Sequence, residues 1–336
     1  MVHPLLVANF STIVGGGEIG LIDLCASLND RQIDLTVAVP DKPPTDLLTD
    51  HPRRSLIPWD IWPQSRAIKQ LVQENNIDVI HTTGARGLTS AFLARTGKPI
   101  IWHVRVADND KFDFILESLP HLIIANSNAT AERFSTSAPV SVIYNGVMPF
   151  ESSDTRLLPD TQNKKIGIIG RMTPEKGHLD LIPAILQIQK LHDNIEFIFI
   201  GNDTGAIGDQ IKQLANRPDS RIRNLGVVPS ASRHLHEFDL VIVPSRIEGF
   251  GRVAAECLVA GVPVIATAVG GLKEVLANLE NIFLPDDTKD WRDFILESLT
   301  NYPHTTEDLT AAGKAFTMDQ HTDAIIEVYK RLASEE

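Results

Sequence analysis

Residues 240–256 read LVIVPSRIEGFGRVAAE. The run Leu240–Val243 has no polar member, the next residues hold Pro244, Gly249 and Gly251, and the remainder has helical spacing. Together they make one strand–loop–helix step. A strand that is apolar throughout, rather than alternating, is buried on both faces and belongs to a parallel sheet covered by helices. The same step recurs at apolar runs 4–9, 34–40, 77–83, 99–105, 121–127 and 140–145. A polar stretch, 149–163 (PFESSDTRLLPDTQN), interrupts it and reads as a linker. The alternation then resumes at 165–170, 195–201, 222–228, 240–245, 263–268 and 282–285. The fold class expected is therefore α/β, with two Rossmann-like, doubly wound parallel-sheet domains at 1–148 and 164–317. Residues 318–336 follow as an amphipathic helix. Ligands of such sheets bind at the carboxyl ends of the strands, so two facing units would enclose a cleft.

Bulk properties narrow the function. The chain of 336 residues is 43% hydrophobic and carries a formal charge of −12. The acidic balance argues against a general nucleic-acid binder, which needs a clustered basic surface for phosphates. Cys25 and Cys257 stand alone in helical patterns, without metal-ligand spacing, and read as small core residues of a cytoplasmic protein. No apolar run reaches the roughly 20 residues of a membrane span. The connection 41–65, with Arg53, Arg54, Trp59 and Trp62, suits either a packed loop or a surface touching a lipid-linked acceptor at the membrane's inner face.

Candidate chemistry falls after the strands. Gly15 and Gly16 open a helix, where bare backbone amides approach an anion, although a tight turn needs the same residues. Arg171 and Lys176 share the loop GRMTPEKG (170–177), in which a guanidinium fork and an ammonium could hold a diphosphate or stand as solvated cations. Glu248 precedes a helix that starts near Phe250 or Gly251, and Glu256 lies about a turn and a half inside it. Two carboxylates along one loop and helix cannot flank a scissile bond as those of a glycosidase do. No further acidic cluster completes a cation site, so no metal is expected. The pair then either accepts hydrogen bonds from a hydroxyl-rich ligand or serves as a helix-terminal carboxylate and a solvated one. His103 closes the run 99–105. Val269-Gly270-Gly271 with Glu274 starts a helix and either adds phosphate-directed amides or makes a turn.

GGGE (15–18), GRMTPEKG, EGFGRVAAE (248–256) and PVIATAVGGLKEVL (263–276), in this order, closely resemble the retaining family-4 glycosyltransferases (glycosyl transferases group 1) of GT-B fold, from Val7 to about Tyr329. The resemblance implies a nucleotide-diphosphate sugar donor on the second domain and a saccharide, lipid-linked or small-molecule acceptor on the first. It also implies that the last helix would cross back to the first domain. No cofactor is implied. Glu256 would bind the ribose, and Arg171, Lys176, Arg252, Val253 and the amides of Gly15 and Gly16 the phosphates. Glu248, Gly249, Phe250, Gly251 and His103 would hold the donor sugar. By the same resemblance Arg171, Lys176, Glu248 and His103 would be the catalytic set, which domain closure would assemble. Arg105 occupies a position that varies in the family. A sugar-nucleotide epimerase or a non-catalytic sugar-nucleotide-binding subunit of the same fold is the alternative.

Overall fold

The computed structural model describes residues 2–10, 15–41, 48, 51–106, 112–135, 138–283 and 291–335. The chain divides into two compact units, one formed by 1–146 with 318–336 and the other by 147–317.

In the first unit, seven strands form one sheet: β1 (Pro4–Val7), β2 (Thr36–Pro40), β3 (Arg54–Ile57), β4 (Val79–Thr83), β5 (Ile100–Val104), β6 (Leu122–Ala125) and β7 (Val140–Val142). Their order is β3-β2-β1-β4-β5-β6-β7, and every pairing is parallel. Successive side chains point to opposite faces, and both faces are apolar. Leu6, Val37, Val39, Ile101 and Ile124 join one core, while Leu5, Val7, Ala38, Trp102 and Ile123 join the other. This is why the strands read as unbroken apolar runs. The helix Met318–Ser334 sends Ile325, Tyr329 and Leu332 into the first of these cores, beside Leu21, Leu24 and Leu28 of the helix Gly16–Asp30. Thr322 seals the contact with a 2.9 Å hydrogen bond to Ser27.

The second unit holds β8 (Lys164–Ile169), β9 (Ile195–Ile200), β10 (Ile222–Asn224), β11 (Leu240–Val243) and β12 (Val264–Ala266). They are ordered β10-β9-β8-β11-β12, again all parallel. Residues 149–163, read as a linker, are bonded to this unit: Glu237 accepts the amides of Leu157 and Leu158 at 2.9 and 2.8 Å, and Ser153 donates to the Arg233 carbonyl. In each sheet the chain runs outward and then returns beside its own starting strand. Those reversals fall between β1 and β4 and between β8 and β11, the switch points at which loops diverge and leave a crevice.

Two strand expectations need correction. The connection 41–65 contains β3, an edge strand paired with β2. Arg54 and the nearby prolines hid it, because an edge strand needs only one buried face. Trp62 is 67% exposed, and the Arg86 guanidinium lies 4.3 Å from the Trp59 ring centre. Residues 42–47 and 49–50 of that connection lie outside the described residues. The run 282–285 makes only an isolated bridge, from Phe283 to Ala266, and 284–285 also lie outside them.

Three histidines are buried neutral. Burial pushes His81 down to about 3 and His178 to about 4, with Arg105 and His321 adding at the first and Lys176 at the second. Burial, then Arg105, holds His103 well below the ordinary range. The unfolded chain takes up these protons near pH 6.5, whereas the folded chain resists them, so stability is full above about pH 6.5 and falls as pH drops towards 4. Lowering the pH from 7.5 to 5.0 should cost about 2 kcal/mol for each of His81 and His178, at roughly 1.36 kcal/mol per unit. Urea midpoints at the two pH values check this, and a midpoint that holds or rises on acidification would contradict it.

Candidate functional site

The site in the second unit is built at the switch point between β8 and β11. β8 ends at Ile169, and Gly170 to Thr173 lead into a single 3-10 turn, Pro174–Lys176. Gly177 then turns the chain in the left-handed region (φ 66°) into the helix His178–Leu191. A β-carbon at Gly177 would run into the carbonyl oxygen of Pro244, so only glycine lets this loop touch the one after β11. The two loops are then stitched: the amides of Arg246 and Ile247 both donate to the Glu175 carbonyl, at 2.8 and 3.2 Å.

That contact brings Lys176 to Glu248. Its Nζ donates to Oε2 at 2.7 Å, with 22% and 15% of the two side chains exposed, and Ser245 Oγ donates to the same oxygen at 3.2 Å. Arg171 remains outside this pair. It is 45% exposed and 3.9 Å from Glu175. Burial works to raise the Glu175 carboxyl, but hydrogen bonds from its own backbone and Thr173, with Arg171 and Lys176 nearby, bring it below the usual range. The loop thus concentrates positive charge while leaving one guanidinium at the surface.

The segment after Glu248 rests on a third loop. Gly271 donates its amide to the Glu248 carbonyl at 3.0 Å, and side chains at Gly270 or Gly271 would collide with the backbone of Glu248 to Phe250. The glycine pair after β12 therefore supports Gly249 and Phe250, and the Gly271 amide is committed to that support rather than to a ligand. Phe250 is buried, its ring against Phe316 with centres 5.6 Å apart. The helix that follows is Arg252–Ala260, capped by Gly251 in the left-handed region (φ 102°). It starts slightly later than the sequence suggests. Arg252 and Val253 occupy its first turn, whose amides point out along the axis rather than to an earlier turn. Glu256 lies one turn on and accepts from Arg252 Nε at 2.7 Å.

In the first unit, Gly15 is the residue before the helix Gly16–Asp30, in extended conformation, and its carbonyl accepts the Ile19 amide at 3.3 Å. Residues 11–14, just before it, lie outside the described residues. Arg105 Nη1 donates to the Gly17 carbonyl at 3.1 Å. His103, at the end of β5, is 1% exposed and bonded to His81 of β4.

Sequence reasoning missed Ser245, His178, His81 and Tyr329. Ser245 offered a signal, since it lies three residues before Glu248. His178 directly follows the glycine turn, is buried against Phe199, and has neither ring nitrogen paired among the described residues. His81 and Tyr329 meet only because β4 adjoins β5 and the last helix covers them, which no local pattern records. Among the described residues no cluster of three or more His, Cys, Asp or Glu could hold a metal, and no helix is long and apolar enough to cross a membrane.

Residues 163–301 match the family model described as glycosyl transferases group 1, and 14–149 match that of glycosyltransferase family 4. The lipopolysaccharide core biosynthesis mannosyltransferase LpsB of Rhizobium meliloti is 26% identical over 231 residues, 62% of this chain and 65% of that protein. An uncharacterized 42.6 kDa protein in the cps region of Klebsiella pneumoniae is 29% identical over 198 residues, 59% of this chain and 48% of its own. The matches span less than two thirds of these curated relatives' lengths. Anabaena HepE, solved with UDP and glucose, superposes with a TM-score of 0.80 at 21% identity, over 97% of this chain and 99% of its own. With the two family models falling on successive halves and the fold shared with GT-B structures, the chain belongs to the family-4, group 1 glycosyltransferases.

Proposed function

We propose that the protein moves a sugar from a nucleoside-diphosphate sugar to a saccharide acceptor, free or lipid-linked, with retention of configuration and with side-chain cations in place of a metal. The observation that carries this is the 2.7 Å Lys176–Glu248 pair beside Arg171, at the carboxyl ends of β8 and β11. A partly buried ammonium next to a surface guanidinium is suited to a diphosphate, and a carboxylate beside them is suited to sugar hydroxyls. Relatives point the same way: HepE was solved with UDP and glucose, and LpsB is named as a mannosyltransferase of lipopolysaccharide core biosynthesis.

Under this proposal Glu256 accepts the ribose hydroxyls. Arg252, Val253 and the amides of Gly15 and Gly16 serve the phosphates, while Glu248, Gly249, Phe250, Gly251 and His103 serve the sugar. The bond between the anomeric carbon and the phosphate oxygen breaks, leaving an oxocarbenium-like sugar and a diphosphate with added negative charge. Arg171 and Lys176 stabilise that charge as it develops, which is the larger part of the catalysis. The acceptor oxygen bonds the anomeric carbon on the same face, and its proton passes to the departing phosphate oxygen. Glu248 acts in binding rather than as a base, since Lys176 and Ser245 already engage its Oε2.

Lys176→Ala is expected to lower transfer about 10²- to 10³-fold with the circular dichroism spectrum unchanged, the scale of losing one donor to a developing anion. Turnover near that of the unmodified chain would remove Lys176 from the role. Titration calorimetry with UDP, GDP and ADP separately tests the ribose assignment. Glu256→Gln should weaken the nucleotide that binds by about 10- to 100-fold, as loss of charge-assisted hydrogen bonds of about 1.5–3 kcal/mol implies. Unchanged affinity would refute it.

A further inference from the structure

His103 Nε2 is buried and, among the described residues, has no hydrogen-bond partner. On its other side, His103 Nδ1 lies 3.1 Å from Nε2 of His81, and His81 Nδ1 lies 2.6 Å from the hydroxyl of Tyr329. The two imidazoles stack with centres 5.2 Å apart, and the phenol meets His81 edge-on. Three side chains from β4, β5 and the last helix thus form one line of hydrogen bonds inside the first unit.

The direction of the protons is decided at the Tyr329 end. Among the described residues its hydroxyl has His81 as its one hydrogen-bond partner, and the ring is fully buried. Burial pushes the phenol's pKa up, so the O–H is retained. Were the phenol only to accept from His81, its own proton would be stranded in the core, which buried polar groups avoid. The phenol therefore donates to His81 Nδ1. A neutral imidazole with one nitrogen accepting carries its proton on the other, so His81 Nε2–H donates to His103 Nδ1. By the same rule, the His103 proton sits on Nε2. A second proton on either ring is opposed by burial and by Arg105. His321 also opposes it, with its ring centre 5.9 Å from that of His103 and its Nδ1 2.7 Å from the Tyr144 carbonyl.

We propose that Tyr329 and His81 are positioning residues that lock His103 as the neutral Nε2–H tautomer, so that His103 offers a bound ligand a hydrogen-bond donor and not a base. This rests on the assignment of His103 to the donor sugar made above and adds the chemistry of the contact. The group it recognises is an oxygen lone pair, as on a sugar hydroxyl or ring oxygen. Orienting partners of this kind usually fix which ring nitrogen carries the proton.

Long-range 1H–15N correlation of the full chain labelled at histidine, recorded without substrate between pH 6 and 8, tests the lock. His81 and His103 are each expected to show a protonated Nε2, an unprotonated Nδ1 and no titration. A proton on His103 Nδ1, mixed tautomers, or a charged His103 in that range would overturn the proposal. In Tyr329→Phe the ring is kept and the donor lost. Both histidines should become tautomeric mixtures, and kcat/KM should fall about tenfold, the scale of losing an orienting partner. A folded Tyr329→Phe with unchanged tautomers would also overturn the proposal; if that variant does not fold, the spectrum of the unmodified chain decides alone. Because the spectrum needs no substrate, expected tautomers in a chain that transfers no sugar would sink the functional assignment and leave the lock standing.

Discussion

The close approach of Gly177 to the Pro244 carbonyl is the contact on which the site depends. Parallel pairing of β8 with β11 sets their carboxyl ends side by side, but side chains would ordinarily hold the two loops apart. Glycine at Gly177, and again at Gly270 and Gly271, removes the β-carbons that would block backbone from meeting backbone. Three successive loops then form one layer joined through the carbonyls of Glu175 and Glu248. Lys176 and Glu248 meet because the backbone beneath them is fixed, which is the preorganisation that electrostatic stabilisation requires.

The Lys176–Glu248 pair also bears on energetics. Breaking a partly buried ion pair by removing one partner leaves a charge short of solvation. Arg252 and Glu256 repeat the arrangement one loop on, again an ion pair held close to a helix start. Each pair keeps its charges compensated and oriented within reach of the site. The buried line of Tyr329, His81 and His103 represents the opposite choice, with protons located by hydrogen bonding and charge excluded by burial.

How much of this was legible in the sequence follows from where the information lies. Strands buried on both faces announce themselves as apolar runs, and glycine-bearing loops after them mark strand ends, so the two parallel sheets and the residues around 170–177 and 248–256 could be read directly. β3 could not, because an edge strand with only Ile57 fully buried leaves no such run. The stretch 149–163 looked like a linker because its polar composition hides two leucine amides bonded to Glu237. Gly270 and Gly271 read as either phosphate-directed amides or a turn, and nothing local in the sequence tells that their close neighbour is the backbone of the Glu248 loop. The histidine line was invisible: His81, His103 and Tyr329 are 22 and 226 residues apart in succession only along the chain, while strand order and a returning helix bring them together.

Hydrogen–deuterium exchange of the intact chain, with and without a saturating nucleoside diphosphate, tests the central claim most directly. The account requires slowed exchange at 170–177 and 245–256, the two loops that Gly177 and Pro244 bring together. A nucleotide that binds yet leaves both segments exchanging as before would contradict it.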